Sequence, residues 1–218
     1  SDGIISKYIK RGTGGWRLDV ADELDESMLR KIRSAAKAAD PDSLIIGEVW
    51  EDASNKVAYD RRRHYFRGYE LDSVMNYPLR NAVIGYLKYR NAEQLAKITA
   101  ELYSHYPKEA SDVMMNFLGT HDTERIITLL GSDADLSRKT NAELSIYKLT
   151  EAERIKGKEL LQLAYTILSF MPGIPCIYYG DEIGIEGARD PFNRMPYPWG
   201  NEDRELLDFF TLIGSLRL

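Results

Sequence analysis

Three carboxylates follow short apolar runs that predict β-strands: Asp19, Glu48 and Asp122. The carboxyl ends of parallel strands meet at one face of a sheet or barrel, so these side chains are expected to converge. Glycoside hydrolysis needs two such groups, one that gives a proton to the leaving oxygen and one that attacks or directs water. A third can stabilise an oxocarbenium-like transition state. The pattern therefore indicates an acidic site suited to cleaving glycosidic bonds.

Arg17 and Asp19 share one face of the strand predicted within residues 14–23. Side chains alternate across a strand, so Trp16 and Leu18 face the other way. An arginine this close to a carboxylate favours its ionised form and orients it. The two residues alone leave a second interpretation open, a structural ion pair on an exposed edge strand, since buried charges are rare.

Glu48 has apolar neighbours in the sequence, with Ile45 and Ile46 before it and Val49 and Trp50 after it. Apolar surroundings disfavour the charged form of a carboxyl group, so this side chain is expected to hold its proton. The carboxylates at the ends of the first two predicted strands are therefore expected to have distinct roles, one ionised and one a proton donor.

Predicted strands alternate with predicted helices along the chain. Hydrophobic periodicity predicts helices over residues 4–9, 28–39, 79–87, 95–103, 150–171 and 206–216, and strands within residues 14–23, 44–50, 71–76, 113–118 and 176–179. Parallel strands need helix-length connections, so this order predicts an α/β fold with helices outside a parallel sheet. The glycine-rich residues 12–15 precede a strand instead of following one, which argues against an open dinucleotide-binding fold. Polar residues at strand ends favour a (β/α)₈ barrel.

The composition excludes several other classes of protein. The chain has 218 residues, 44% of them hydrophobic, and a formal net charge of -5, which argues against a nucleic-acid surface. We interpret the arginine-rich residues 61–67 as a solvated loop or helix face in preference to a phosphate site. Cys176 is the single cysteine, so neither a disulfide framework nor a cysteine-based zinc site is expected within one chain. No signal peptide or membrane-spanning run is present in the sequence. The absence of a targeting signal does not determine the localisation, which stays unknown with a preference for the cytoplasm.

Several motifs together resemble those of the α-amylase family of glycoside hydrolases. They are GWRLD at residues 15–19 followed by Glu23, GEVW at 47–50, LGTHD at 118–122, GIPCIYYGDE at 173–182 and DPFNRMP at 190–196. The first four resemble the family's motifs at strands four, five, seven and eight of its barrel. Their order and spacing also fit, and the similarity is greatest to the neopullulanase and cyclomaltodextrinase branch.

The resemblance implies a (β/α)₈ TIM-barrel catalytic domain, of which residues 1–218 would form a C-terminal portion covering strands four to eight with their helices. It also implies a retaining mechanism, with Asp19 as nucleophile, Glu48 as general acid and base, and Asp122 as the residue that binds sugar hydroxyls. The implied substrate-binding residues are Arg17, His121, Glu23, Trp50, Asp190 and Arg194. A structural salt bridge for the last two, and a packing role for the tryptophan, are equally open.

The chain departs from the family pattern at two places. Asp22 stands where many relatives carry asparagine, and the strand-three motif, an aspartate followed by an Asn-His pair, does not occur in the sequence. Five strands of an eight-stranded barrel would leave two sheet edges unpaired, which predicts self-association, for example as a homodimer through those edges. We expect residues 1–218 alone to be poorly active or inactive.

The sequence thus predicts a retaining hydrolase that acts on α-glucans or maltooligosaccharides. The resemblance requires no cofactor and assigns no metal ligand in this chain, while calcium stays open because the family's calcium ligands often come from the other part of the barrel. Neither a nucleic acid nor a membrane is an expected partner. Two alternatives are a transglycosylase of the same family and a catalytically silent sugar-binding relative.

Overall fold

A computed structural model describes residues 3–217 of the chain. Within them the α-helices are α1 (Ile4–Ile9), α2 (Glu26–Ala39), α3 (Tyr77–Tyr89), α4 (Ala92–His105), α5 (Lys108–Asp112), α6 (Ile126–Gly131), α7 (Asn141–Ser145), α8 (Glu151–Phe170) and α9 (Arg204–Arg217). The strands are β1 (Gly15–Leu18), β2 (Leu44–Gly47), β3 (Val57–Ala58), β4 (Arg61–Arg62), β5 (Ser73–Val74), β6 (Met115–Phe117) and β7 (Ile174–Cys176). The predicted span 1–218 extends to Ser1, Asp2 and Leu218, which lie outside the described residues.

All six predicted helices form, and four of the predicted strands form in shortened versions. The prediction of the last strand over residues 176–179 is wrong, because β7 ends at Cys176. Beyond it, the carbonyl oxygen of Tyr179 accepts a hydrogen bond from the guanidinium of Arg125. The helices α5, α6 and α7 and the β3–β4 hairpin were not predicted.

The chain divides into two compact units, and the first holds a parallel sheet. This unit comprises the residues up to Asn81, Leu95–Asn116 and Pro172–Ile174. Its strands lie in the order β1-β2-β5, and both pairings are parallel. The predicted α/β class with parallel strands is therefore confirmed.

Backbone and amide hydrogen bonds extend this strand order within the first unit. Met75, just after β5, forms a parallel bridge with Met115 of β6, and the backbone N–H of Ile174 donates to the carbonyl of Met114 at 2.8 Å. The buried side chain of Asn116 accepts from the Asn76 amide at 2.8 Å and donates to the carbonyl of Pro172 at 2.9 Å. Buried polar groups need such partners, so these amides help to fix the order of the strands.

Helix α2 packs against α1 and buries one face of an amphipathic helix. Its first turn is capped by Asp25, whose carboxylate accepts from the backbone N–H of Ser27 at 2.8 Å. Leu29 and Ala36 on its inner face are fully buried, as is Ile45 of β2. Burial of apolar surface on one face is what holds such a helix in place.

The second unit is built around α8. It comprises Ala82–Gln94, Phe117–Met171 and the residues from Pro175 onward. A capping box starts α8, in which the Thr150 hydroxyl and the Glu153 carboxylate each accept from the other residue's backbone. Tyr165 of this helix stacks on Phe210 of α9, with ring centroids 4.0 Å apart.

Two polar groups of the second unit are held in partly buried positions. The ammonium of Lys88 donates to the carbonyls of Leu129 and Ser132, at 2.6 and 2.8 Å, around the end of α6. Burial lowers the pKa of this lysine. Cys176 is half-buried, and burial raises the pKa of its thiol, in keeping with the small hydrophobic role predicted for it.

None of the helices in the described part of the chain is long and apolar enough to cross a membrane.

Glycines let α6 and α8 approach closely. A Cβ atom added at Gly157 of α8 would lie 2.7 Å from the carbonyl oxygen of Ile127 and 3.2 Å from the Cα of Gly131, both backbone atoms of α6. By contrast, a Cβ atom added at Gly85 of α3 would meet no heavy atom within 4 Å. Alanine at Gly157 therefore tests the close packing of the two helices, and alanine at Gly85 is its control.

We expect Gly157→Ala to lower the free energy of unfolding by about 1–3 kcal/mol, because the added methyl group forces two helix backbones apart. Gly85→Ala should instead raise it by up to about 1 kcal/mol through helix propensity. Urea unfolding of both variants measures the difference. Equal effects at the two positions would contradict the close packing of α6 on α8.

Candidate active site

The first unit places Asp19 and Glu48 on neighbouring strand ends. Parallel pairing of β1 with β2 sets Leu18 opposite Gly47. Beyond the strands, the backbone N–H of Glu48 donates to the Leu18 carbonyl at 2.9 Å, and that of Ala21 donates to the Glu48 carbonyl at 3.0 Å. The sheet thus continues far enough to hold the two carboxylates side by side.

A single guanidinium binds both of these carboxylates. Arg17 Nη1 lies 2.5 Å from Asp19 Oδ1, and Arg17 Nη2 lies 2.9 Å from Glu48 Oε1. The side chain of Asp19 is 72% exposed, whereas that of Glu48 is 4% exposed. The predicted contact between Arg17 and Asp19 is therefore present, and the same guanidinium also contacts the buried carboxyl group of Glu48.

The side chain of Glu48 ends among hydrogen-bond donors, so the apolar surroundings predicted for it are wrong. Oε2 accepts from the backbone N–H of Val20 at 2.8 Å, and Oε1 accepts from Trp50 Nε1 at 3.2 Å and from the Tyr77 hydroxyl at 3.4 Å. Its apolar sequence neighbours do not determine where the carboxylate points. Two of these donors, Val20 and Tyr77, come from other segments of the chain, which the local sequence does not reveal.

Val20 has a left-handed backbone conformation, with φ of 41°. For a β-branched residue this conformation costs on the order of 1–3 kcal/mol, and such strain is concentrated at functional sites. Here it accompanies the hydrogen bond from the Val20 N–H to the Glu48 carboxylate. The turn after β1 therefore fixes the orientation of the buried carboxylate.

Trp50 packs one face of its indole on Tyr77, with ring centroids 4.2 Å apart and planes 14° apart. The residue remains 48% exposed. The packing role that the sequence left open is thus present on one face, and the indole N–H also fixes the Glu48 carboxylate.

The residues after Asp19 are held by the segment that contains the β3–β4 hairpin. The Tyr59 hydroxyl donates to Glu23, and Lys56 forms an ion pair with Asp22 at 3.1 Å. Asp22 also accepts from the Tyr65 hydroxyl at 2.5 Å. Burial and this carboxylate raise the pKa of Tyr65.

Asp22, the residue that departs from the family pattern, therefore has a cation beside it. Burial works against the charged form of Lys56, but hydrogen bonds to Glu51 and Asp22 outweigh burial and raise the pKa of the ammonium. The negative charge of Asp22, which replaces the neutral amide found in many relatives, is therefore paired with the positive charge of Lys56.

The second unit assembles the other predicted residues around Asp122. His121 Nε2 lies 3.0 Å from Asp122 Oδ2, and Arg194 Nη2 lies 3.7 Å from Asp122 Oδ1. Arg194 Nε also forms a salt bridge to Asp190 at 2.7 Å. Of the two interpretations left open for Asp190 and Arg194, the salt bridge is therefore present in the structure.

Asn193, which sequence reasoning missed, holds the backbone of the loop that carries Asp122. Its side-chain amide donates to the carbonyls of His121 and Thr123 at 2.7 and 2.8 Å, and the residue is fully buried. The partners lie about 70 positions earlier in the chain. In the sequence, the one indication of this role is that Asn193 lies inside the DPFNRMP motif at residues 190–196.

Arg125, also missed, is a buried cation just beyond this loop. It is fully buried, and its Nε donates to the Asn193 carbonyl at 2.6 Å while Nη1 lies 3.3 Å from Asp181 Oδ1. The guanidinium lies over the rings of Tyr178 and Tyr179, at 4.3 and 4.5 Å from their centroids. These tyrosines therefore serve as packing partners of a cation.

The structure thus collects Arg17, Asp19, Glu48 and Trp50 in the first unit, and His121, Asp122, Asp190 and Arg194 in the second. Glu23 contacts the hairpin tyrosine in the first unit. Within residues 3–217, no three or more histidine, cysteine, aspartate or glutamate side chains form a cluster that could hold a metal ion.

Asn193→Asp tests how the Asp122 loop is held. The variant places a carboxylate oxygen against two carbonyl oxygens, so we expect a loss of about 1–3 kcal/mol in unfolding free energy. Hydrogen exchange at residues 120–123 should become faster. The control is Asn141→Asp, since Asn141 is exposed and its Oδ1 accepts from Arg189, a role that a carboxylate keeps. If both variants behaved alike, Asn193 would not hold the loop.

Comparison with known proteins shows the family of this chain. Residues 2–207 match the family described as the alpha amylase catalytic domain. A cyclomaltodextrinase from a Bacillus species is 34% identical over 218 residues, covering 97% of this chain and 33% of the relative. Neopullulanase 2 from Thermoactinomyces vulgaris is 34% identical over 214 residues, covering 96% of this chain and 31% of the relative. The chain thus spans about a third of the length of these two relatives.

A solved structure is also similar. Cyclic alpha-maltosyl-(1→6)-maltose hydrolase from Arthrobacter globiformis superposes with a TM-score of 0.77 at 27% identity, covering 97% of this chain and 41% of that structure. The predicted likeness to cyclomaltodextrinases and neopullulanases is confirmed. The chain belongs to the alpha-amylase family and has the fold of its catalytic domain, a TIM-barrel type.

Proposed function

We propose that this protein is a retaining glycoside hydrolase that cleaves α-glucans or maltooligosaccharides, like the cyclomaltodextrinases and neopullulanases that it resembles. The observation that carries the proposal is the arginine shared by an exposed and a buried carboxylate, Asp19 and Glu48. Sharing one guanidinium keeps the two carboxylates close, which suits the roughly 5–5.5 Å separation of a retaining pair better than the 6.5–9.5 Å of an inverting pair.

In the first step, Glu48 gives its proton to the glycosidic oxygen while a carboxylate oxygen of Asp19 attacks the anomeric carbon. The bond to the leaving sugar breaks and a glycosyl ester forms on Asp19. In the second step, the Glu48 carboxylate removes a proton from water, which attacks the same carbon and releases Asp19. Exposure of Asp19 supports its role as nucleophile, and the fixed position of Glu48 supports its role in proton transfer.

Arg17 is assigned to orient both carboxylates. Asp122 is assigned to bind sugar hydroxyls and stabilise the developing positive charge at the anomeric carbon. Its contacts with His121 and Arg194 support this assignment, because both neighbours hold the Asp122 carboxylate in a fixed orientation. The other proposed substrate contacts are Glu23, Trp50 and Asp190.

The strand order supports a further assignment. The strands β1, β2 and β5 are hydrogen-bonded in that order, a bridge links the end of β5 to β6, and β6 pairs with β7. We assign these five strands to strands four to eight of the family's barrel, so that residues 1–218 form the C-terminal portion of the catalytic domain.

Substitution of Asp19 and of Glu48 tests their proposed roles. Turnover of maltotriose and of an α-glucosyl fluoride is measured with the complete gene product. The unaltered protein should release glucose and maltose from maltotriose. Asp19→Asn should lose turnover of both substrates, because an amide cannot form the ester. Glu48→Gln should lose turnover of maltotriose by a factor of at least about 100 but keep much of the first step with the fluoride, whose departure needs no proton.

Equal losses on both substrates for Glu48→Gln would contradict its role as general acid. Products longer than maltotriose as the main outcome would contradict hydrolysis in favour of glycosyl transfer. No turnover by the unaltered protein would contradict the enzyme assignment itself.

A further inference from the structure

The arginine-rich segment that the function leaves unused lines a small cavity in the first unit. The cavity has a volume of about 250 Å³, and the lining includes Arg62, Arg63, His64, Arg67 and His105. Among the described residues that line it, none is aspartate or glutamate. A cluster of five basic side chains around one cavity is unusual in a chain with a net charge of -5.

Two of these arginines have no counter-ion within the described part of the chain. Neither Arg62 nor Arg67 has a carboxylate within 4 Å there. Both are exposed, so their guanidinium groups are free to turn toward a ligand. His105 is different, since its Nδ1 lies 3.0 Å from Asp52 Oδ2, which leaves Nε2 as the nitrogen available to a ligand.

Arg63 gives the cavity a fixed wall. It is 7% exposed, and Nη2 donates to the carbonyls of Asp22 and Leu24. Its Nε is buried and has no hydrogen-bond partner within residues 3–217. Arg63 therefore adds a fixed positive charge to the lining, and Arg62 and Arg67 are the arginines exposed enough to contact a ligand directly.

Apolar and aromatic side chains complete the lining. Tyr65, Phe66 and Pro107 form part of it, and Tyr65 is 1% exposed. Low-polarity walls strengthen the attraction between a bound anion and the basic groups. The volume lies below the roughly 300–1,000 Å³ of sites for drug-sized ligands, which favours a small ligand.

We propose that this cavity binds a phosphate group, either as inorganic phosphate or as the phosphate of a phosphorylated sugar. Guanidinium groups match the geometry of phosphate oxygens and bind them through paired hydrogen bonds. A tetrahedral anion with several acceptor oxygens can satisfy two arginines and two histidines together, whereas chloride offers a single centre. The exposure of Arg61, Arg62 and Arg67 agrees with the solvated face predicted for residues 61–67, and the proposal adds a ligand to that face.

Phosphate binding in this cavity does not depend on cleavage of a glycosidic bond, so the experiment measures binding directly. Isothermal titration calorimetry on the complete gene product, in buffer with about 0.1 M NaCl to screen long-range attraction, should show saturable one-to-one binding of inorganic phosphate. Glucose 1-phosphate, titrated in the same buffer, distinguishes the two sources of the group. Tighter binding than phosphate identifies a sugar phosphate as the ligand, and equal or weaker binding identifies the free anion.

Charge-removing variants locate the site. Arg62→Gln and Arg67→Gln should each weaken phosphate binding by about tenfold or more, because each removes a charge-assisted hydrogen bond. Both residues are exposed, so folding should be preserved. The matched control is Arg61→Gln, which removes the same charge from an adjacent exposed residue outside the lining and should change affinity less than about twofold.

Three results would overturn the proposal. They are no saturable heat of phosphate binding to the unaltered protein, an equal loss of affinity in Arg61→Gln, and full displacement of phosphate when chloride is raised at constant ionic strength. The last two would indicate general attraction to a basic surface.

Discussion

The site depends on one guanidinium bound between two carboxylates. Arg17 contacts Asp19 and Glu48 at 2.5 and 2.9 Å, and the three residues come from two paired strands and the turns that follow them. A carboxylate as buried as Glu48 is costly unless it is paired and hydrogen-bonded. Arg17 provides the charge and Val20 provides a backbone donor, at the expense of a strained turn. The proposed roles follow from this difference in exposure: the exposed Asp19 is the nucleophile, and the buried Glu48 transfers the proton.

The loop that carries Asp122 shows the same reliance on buried polar contacts. Asn193 binds two of its carbonyl groups, and Arg125 in turn binds the Asn193 carbonyl. Hydrogen bonds between buried polar groups favour one arrangement of the backbone that they join. A loop fixed in this way can hold the Asp122 carboxylate in one orientation, which a transition-state stabiliser requires.

The sequence revealed the features that depend on local spacing. The alternation of Arg17 and Asp19 on a strand, the periodic helices and the carboxylates at strand ends all follow from residues close together in the chain. The environment of Glu48 could not be predicted in this way, because Tyr77 reaches it from 29 positions away and Val20 through an uncommon backbone conformation. The backbone beyond the end of β7 likewise has a distant partner, because the Tyr179 carbonyl accepts from Arg125, which lies 54 positions earlier in the chain.

The most direct test of this account is to trap the proposed glycosyl ester. A glucosyl fluoride with a second fluorine on the sugar ring reacts readily in the first step, while the added fluorine slows hydrolysis of the ester. After reaction with the complete gene product, peptide mass spectrometry should find one fluoroglucosyl group on Asp19, and Asp19→Asn should carry none. A label on Glu48, or fluoride release with no labelled peptide, would contradict the assignment of Asp19 as the nucleophile.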